Sequence, residues 1–337
     1  MQAFANIFCN LVNYCQKCRF FPFLNFTYLQ IFICKQILFY TKPVLWYDNF
    51  ILFQENNMTK NIIAKTFDEE RALYHIRDAL IKKCTFAGAA DGESVLKEAR
   101  NITVEHSSFS LRYPLWHVRG FTLKDSVLEE PSRAPMWYCF DGEMVNTKIR
   151  SVKAVRECHN IKISDSDIIS PEFGWKNDGM EVQNTSITSE YVFFGSKNVH
   201  IKHLHLSGKY SFQYMENLTI EDSVLDTKDA FWHSKNITVK NSVVKGEYLA
   251  WFSEGLTLMN CKIIGTQPLC YCKDLKLIDC TMEGCDLSFE YSDVQASVIG
   301  HIDSVKNPRS GEITCDSVGE IIREEPVYEC NGKIRVR

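Results

Sequence analysis

The sequence predicts an all-β fold: a single-stranded right-handed parallel β-helix of about 13 coils of ~19 residues. Three observations predict it. A nonapeptide pattern returns every 19 residues, the same slots in each copy are apolar, and Asn, Gly or Asp opens the copies. Equal coils stack like residues into columns, so greasy columns line a bore and turn-forming columns mark the bends.

The copies run NITVEHSSF from Asn101, GFTLKDSVL from Gly120, DGEMVNTKI from Asp141, NIKISDSDI from Asn160 and GMEVQNTSI from Gly179. They continue with NVHIKHLHL from Asn198, NLTIEDSVL from Asn217, NITVKNSVV from Asn236, GLTLMNCKI from Gly255 and DLKLIDCTM from Asp274. Every step from Asn160 to Asp274 is 19 residues, while the step from Gly120 is 21 and holds Pro131 and Pro135. Weaker copies start at Asp78, Tyr291 and Ser310. Slot one tolerates a left-handed backbone, which a sharp corner demands. Slot four is aliphatic (Ile163, Val182, Ile201, Ile220), slot nine is apolar, and slots two and four alternate with polar neighbours as a strand requires. Slot seven is mostly Ser, Thr or Cys, and each hydroxyl there is expected to bond backbone or its neighbour.

Nineteen residues are too few for a crossover helix between parallel strands. Hexapeptide and pentapeptide periods are absent, and the slots do not match a leucine-rich repeat. Both ends carry cap signals. Thr66-Phe67-Asp68-Glu69 reads as a capping box, predicting a short helix over Phe67 to Ile76. Asn331-Gly332, between alternating apolar segments of Val327 to Arg337, predicts a hairpin.

Residues 1–57 read differently: they are rich in Phe, Ile, Leu, Tyr, Asn and Gln and poor in charge. The apolar run Phe20 to Cys34 is 15 residues, short of the roughly 20 that span a bilayer. Met58 is therefore the expected start of the native chain, with 1–57 a non-native or disordered extension and 58–337 a single β-helix domain. A membrane role is not expected. The net charge of −4 gives no drive toward nucleic acid. Cys15 and Cys18 form a C-x-x-C, but no second pair follows at zinc-ribbon spacing and no βαβ context surrounds them, so the 14 cysteines read as reduced, largely structural thiols, which suits the cytoplasm. No metal and no cofactor is expected.

Chemistry gathers on the second half of each coil. Four residues before each corner stand Trp116, Trp137, Trp175, Phe194, Gln213, Trp232 and Trp251; one place later come His117, Tyr138, Lys176, Tyr214, His233, Phe252 and Tyr271. One of these columns is expected to pack in the bore and the other to face solvent, where aromatic rings could stack on sugars. Asp178, Asp229 and His233 are candidate catalytic groups, because glycoside cleavage needs two carboxylates about 5–9.5 Å apart. Trp175, Lys176, Trp232, Trp251 and Glu172 are candidate ligand contacts. His203 and His205 share a phase, but no acidic partner of clear phase accompanies them.

The repeated N-[ILV]-T-[ILV]-x-[DN]-[SC]-x-[ILV] coil, over Asp78 to about Val318, resembles the pectin-lyase-like superfamily of right-handed β-helices. DGEM at Asp141–Met144 and WKNDGMEV at Trp175–Val182 are similar to an uncharacterised bacterial domain-of-unknown-function family (3737). The resemblance implies the fold and leaves activity open. Asn177-Asp178-Gly179 approximates the N-T-D-G of polygalacturonases, but their Asp-Asp, Gly-His-Gly and Arg-Ile-Lys elements are missing, as are the calcium cluster and catalytic Arg of pectate lyases. The expected function is non-catalytic binding of an extended ligand such as a polysaccharide along one face. The alternatives are a hydrolase or lyase using Asp178, Asp229 and His233, and a structural or protein-interaction rod. Oligomeric state is not legible.

Overall fold

A computed structural model describes residues 60–324 and 326–337; the expectations for residues 1–57 and for the start at Met58 lie outside them. The fold is the parallel β-helix that the 19-residue spacing predicts, and it has about 15 turns rather than 13. Slot four aligns as required: Ile163 pairs with Val182, Val182 with Ile201 and Ile201 with Ile220 on adjacent parallel strands. All four are at most 2% exposed. The two added turns lie at the ends. Lys60–Ile63 stacks on the strand of Asp78, and Lys333–Val336 stacks on Ser310–Cys315.

Neither predicted cap forms, for one physical reason. The helix expected over Phe67 to Ile76 does not form. Thr66–Phe67 pairs instead with Thr85–Phe86, and the N–H groups of Arg71, Leu73 and His75 donate to the carbonyls of Glu93, Val95 and Lys97. The expected hairpin at Asn331-Gly332 is also absent. Those two amides donate to Arg309 and Pro308 carbonyls, and the chain enters one more parallel rung. In both places the adjoining coil supplies a row of acceptors at strand spacing, which satisfies more backbone groups than a local turn of helix or hairpin. The copy at Tyr291 is also displaced: the strand is Asp293–Val298, and Ala296, not Val294, continues the slot-four column after Leu277.

Left-handed residues stand at more than the predicted corner. Slot one is as predicted, with Asn160 at φ 54° and Gly179 at φ 77°. A Cβ on Gly179 would lie 2.8 Å from the Asn160 Oδ1 atom, so the close stacking as well as the backbone favours glycine. Slot six bends the same way, at Asp165 (52°), Asn184 (48°), Asn241 (49°) and Asn260 (50°). Side-chain amides tie these columns together, Asn236 to Asn217 at 3.2 Å and Asn241 to Asp222 at 3.2 Å. Slot-seven hydroxyls are satisfied as expected: Ser223 Oγ donates to the Glu221 carbonyl at 2.7 Å and accepts the Leu204 N–H at 3.0 Å. Slot two holds a glycine at Gly142, where a Cβ would come within 2.0 Å of the Phe121 ring that already fills the bore.

Among the described residues all ten cysteines are unpaired and nine are buried. Burial pushes the Cys272 thiol up to about 11 and that of Cys285 up to about 12, which keeps both neutral. The same residues include no helix long and apolar enough to cross a membrane.

Candidate functional site

The second half of each coil is built by alternating left-handed residues. Phe231 (φ 62°) and His233 (54°) flank Trp232, and Ala250 (63°) and Phe252 (62°) flank Trp251. A left-handed phenylalanine is strained and persists only where neighbours fix it. Here the strain aims three successive side chains. The first points into the bore, where Phe212 and Phe231 stack with centroids 5.2 Å apart, both fully buried. The next two point outward. This corrects the expectation that one of the two aromatic columns packs inside: the inward aromatics stand one residue earlier.

The tryptophan column lies half-buried against the coil; Trp137 Nε1 donates to the Glu157 carboxylate at 3.3 Å, and three further indoles each close a backbone gap. Trp175 Nε1 donates to the Tyr191 carbonyl at 2.6 Å, Trp232 to Tyr248 at 2.6 Å and Trp251 to Gln267 at 2.8 Å. Gln213 stands in the same column because its amide does the same work, donating Nε2 to the Asp229 carbonyl at 3.0 Å. Arg156 takes the position between Trp137 and Trp175, its guanidinium 5.4 and 4.5 Å from the two ring centroids. Its Nη2 donates to Glu172 Oε2 at 2.8 Å, and Lys153 reaches the other Glu172 oxygen at 3.7 Å. Glu172, expected as a ligand contact, is thus held by two cations of its own chain.

The outer column is a continuous stack over four coils. Tyr214 and His233 are 5.1 Å apart at 12°, His233 and Phe252 5.0 Å at 6°, and Phe252 and Tyr271 4.8 Å at 13°. Tyr271 leads on to Tyr291 at 5.7 Å, and Tyr291 to Tyr328 at 5.2 Å. In the other direction Phe194 links Tyr214 (5.3 Å) to Trp175 (5.1 Å). Nearly parallel rings at this spacing cover one another's faces, so over most of the strip they offer solvent their edges and polar tips. Faces open only where planes tilt, as between Phe194 and Tyr214 (60°) and between Trp251 and Tyr271 (69°). The outer column has no ring at Glu157, Lys176 and Gly195, and Lys176 is exposed in that gap.

The three candidate catalytic groups are not brought together. Asp178 faces outward in register with Lys197, then Glu216, then Lys235. That places it three rungs, on the order of 14 Å, from the coil junction that follows His233. Asn198 Nδ2 at 2.6 Å, and secondarily Lys197 Nζ at 3.2 Å, hold its carboxyl below the usual range. Asp229 is 6% exposed, and burial raises its carboxyl. His233 is sandwiched between rings. Asn177, the residue that suggested a polygalacturonase-like segment, is 1% exposed and serves the corner: Oδ1 accepts the Cys158 N–H at 2.7 Å and Nδ2 donates to Val155 at 3.1 Å.

A second surface lies apart from the residues that the sequence singles out. The outer face of the first strands carries two shallow depressions, about 290 and 270 Å³, that share Glu181 and His200. Lys162 and Asn160 line one, and Lys202 and Glu221 the other. Slot three points outward in every coil, so the period-two pattern could have assembled Lys162, Glu181 and His200 in one column.

Fold and surface together define a parallel β-helix with an external aromatic ladder. The chain belongs to the family described as protein of unknown function (DUF3737), which matches residues 60–335. No curated protein matches it. Similar solved structures include a periplasmic alginate epimerase double mutant, 11% identical over 77% of this chain and 75% of that chain, TM-score 0.30. The A-module of an Azotobacter vinelandii mannuronan C-5 epimerase is 10% identical over 81% and 87%, TM-score 0.31. A pentapeptide-repeat protein involved in heterocyst differentiation regulation, from the cyanobacterium Nostoc, is 8% identical over 72% and 94%, TM-score 0.21. Overlaps this loose say nothing of ligand or chemistry.

Proposed function

We propose that this chain is a non-catalytic binding rod that holds an extended polymer, a polysaccharide foremost, along the aromatic strip. One observation carries the reading: rings from Tyr214 to Tyr271 follow one another coil by coil, with Tyr214 53% and Phe252 45% exposed. Each ring is locked by its neighbours, so binding would order few side chains, and aromatic residues with polar tips give much contact for little entropy. A periodic ligand fits a periodic surface. The separation of Asp178 from Asp229 and the ion pairs on Asp178 and Glu172 support binding over bond cleavage. The net charge of −4 argues against nucleic acid. The buried, unpaired thiols support a reducing compartment; alkylation in intact cells that finds them as disulfides would overturn that part.

The test is affinity electrophoresis of the full chain through gels containing neutral or acidic polysaccharides. Retardation by one polymer class is expected, reduced at least tenfold in affinity by Tyr214→Ala with Phe252→Ala. Equal mobility in every gel, or retardation unchanged by the double variant, would sink the proposal.

A further inference from the structure

Just before the slot-one corner each coil turns one side chain outward. From Asp178 to Lys273 that column alternates in sign, Lys197, Glu216, Lys235 and Glu254 standing between them, each opposite the next. Opposite charges one rung apart attract and like charges repel, so this alternation is a face that neutralises itself. The N-terminal coils break the rule in the same column. Arg77 stands opposite Arg100 and Arg100 opposite Arg119, all three exposed. Among the described residues none of the three has an ion pair: Arg77 Nη2 meets His75 Nε2 at 3.1 Å, and the Arg119 guanidinium lies 4.2 Å from the Phe140 ring centroid. The acids beside them have other partners, Asp78 accepting the Asn101 amide at 2.9 Å and Glu98 meeting His117 at 2.9 Å. With Lys97 on the same edge, four cations stand against those two acids, a surplus of two positive charges. Stacked guanidinium groups repel, and this chain's own alternating rungs show how readily the cost is avoided.

We infer that Arg77, Arg100 and Arg119 form an anion-binding ladder for an acidic glycan, whose carboxylate or sulfate groups bridge successive guanidinium forks. The inference rests on the reading of the chain as a polysaccharide-binding rod and adds that the polymer is charged. Guanidinium forks match carboxylate and sulfate oxygens in pairs. Rungs about 4.8 Å apart let one small anion touch two arginines, so three in register call for a series of anions. A glycan with one anion per ring repeats on the length of a single pyranose, close to one rung. An extended acidic peptide instead presents the carboxylates of one face about 6.8 Å apart, out of step with the ladder. The column continues as the stacked pair Phe140 and His159, 4.8 Å apart. The ladder also lies on the aromatic edge of the rod: His117 and Tyr138, 5.2 Å apart, stand two residues before Arg119 and Phe140 on their own coils.

Affinity electrophoresis of the full chain in gels of dextran, dextran sulfate and polygalacturonate tests this. Retardation by dextran sulfate, polygalacturonate or both is expected, stronger than by dextran and weakened by added salt; the polymer that retards names the anion as sulfate or carboxylate. Arg100→Gln with Arg119→Gln should lower that affinity at least tenfold. Lys235→Gln, in the alternating part of the same column, should leave it unchanged, and melting curves verify that each variant folds. Retardation by dextran alone would overturn the ladder while leaving the binding rod standing, whereas no retardation in any gel would remove both. Acidic-glycan binding indifferent to the two arginines, or equal retardation in a gel of single-stranded DNA, would also overturn it.

Discussion

Replacing Ile220 with Ala tests the stacked bore where it is most regular. Ile220 is 0% exposed and pairs with Ile201 on one side and Val239 on the other, themselves 2% and 0% exposed. The substitution leaves a cavity between two rungs that hydrogen bonds on both sides keep from collapsing. Buried Ile→Ala changes cost about 2–5 kcal/mol, and a tightly flanked site belongs in the middle of that range, about 3 kcal/mol. For a chain of this size that lowers the melting temperature by roughly 4–5 °C. Thr219→Ala, one residue away and facing outward, should change stability by less than about 0.5 kcal/mol. Ile220→Asp, which buries an unpaired charge, should abolish folding. Differential scanning calorimetry of the three variants is the assay. Equal, small shifts for Ile220→Ala and Thr219→Ala would refute the assignment of slot four to the interior.

Three further outcomes are expected. Trp232→Phe keeps the ring but removes the donor to the Tyr248 carbonyl, and Gln213→Leu removes the equivalent donor to Asp229; each should destabilise by about 1–2 kcal/mol, and an unchanged melting temperature in both would remove the structural role given to that column. Asp229→Asn should stabilise the protein at neutral pH. Burial raises the folded-state carboxyl above its unfolded value, so its contribution is complete at low pH and lost as pH rises through the folded value; calorimetry at several pH values should show the variant's advantage vanish in acid, and an advantage independent of pH would contradict the assignment. Deleting residues 1–57 should leave a soluble chain with an unchanged circular dichroism spectrum, and loss of soluble product would reverse the reading of Met58 as the start.

Much of the fold was legible because a solenoid repeats its reasons. Eleven copies of one slot expose a rule that a single strand would hide, which is why Ile163, Val182, Ile201 and Ile220 could be aligned without coordinates. The ends were misread because they repeat nothing. Asp68, Glu69, Asn331 and Gly332 carry sound local signals for a helix and a hairpin, and the adjoining rung outbids both with in-register acceptors. The aromatic columns were located correctly in sequence but not in direction. Alternation assumes ordinary strand dihedrals, and the left-handed backbone at Phe231 and His233 breaks it, so two neighbours point outward together. Gln213 interrupts the Trp column, and only the shared acceptor in the next coil shows why an amide stands there.

The most direct test of stacking in register is disulfide trapping on the outer face. Thr219 lies opposite Thr238, and Thr238 opposite Thr257, on successive parallel strands. Thr219→Cys with Thr238→Cys places two thiols about 4.8 Å apart, within reach of a disulfide, while Thr219→Cys with Thr257→Cys spans about 9.6 Å, beyond it. Peptide mass spectrometry after mild oxidation should find the first cross-link in nearly all molecules and the second in none. Failure of the first pair, or ready formation of the second, would mean that the coils do not stack in this order.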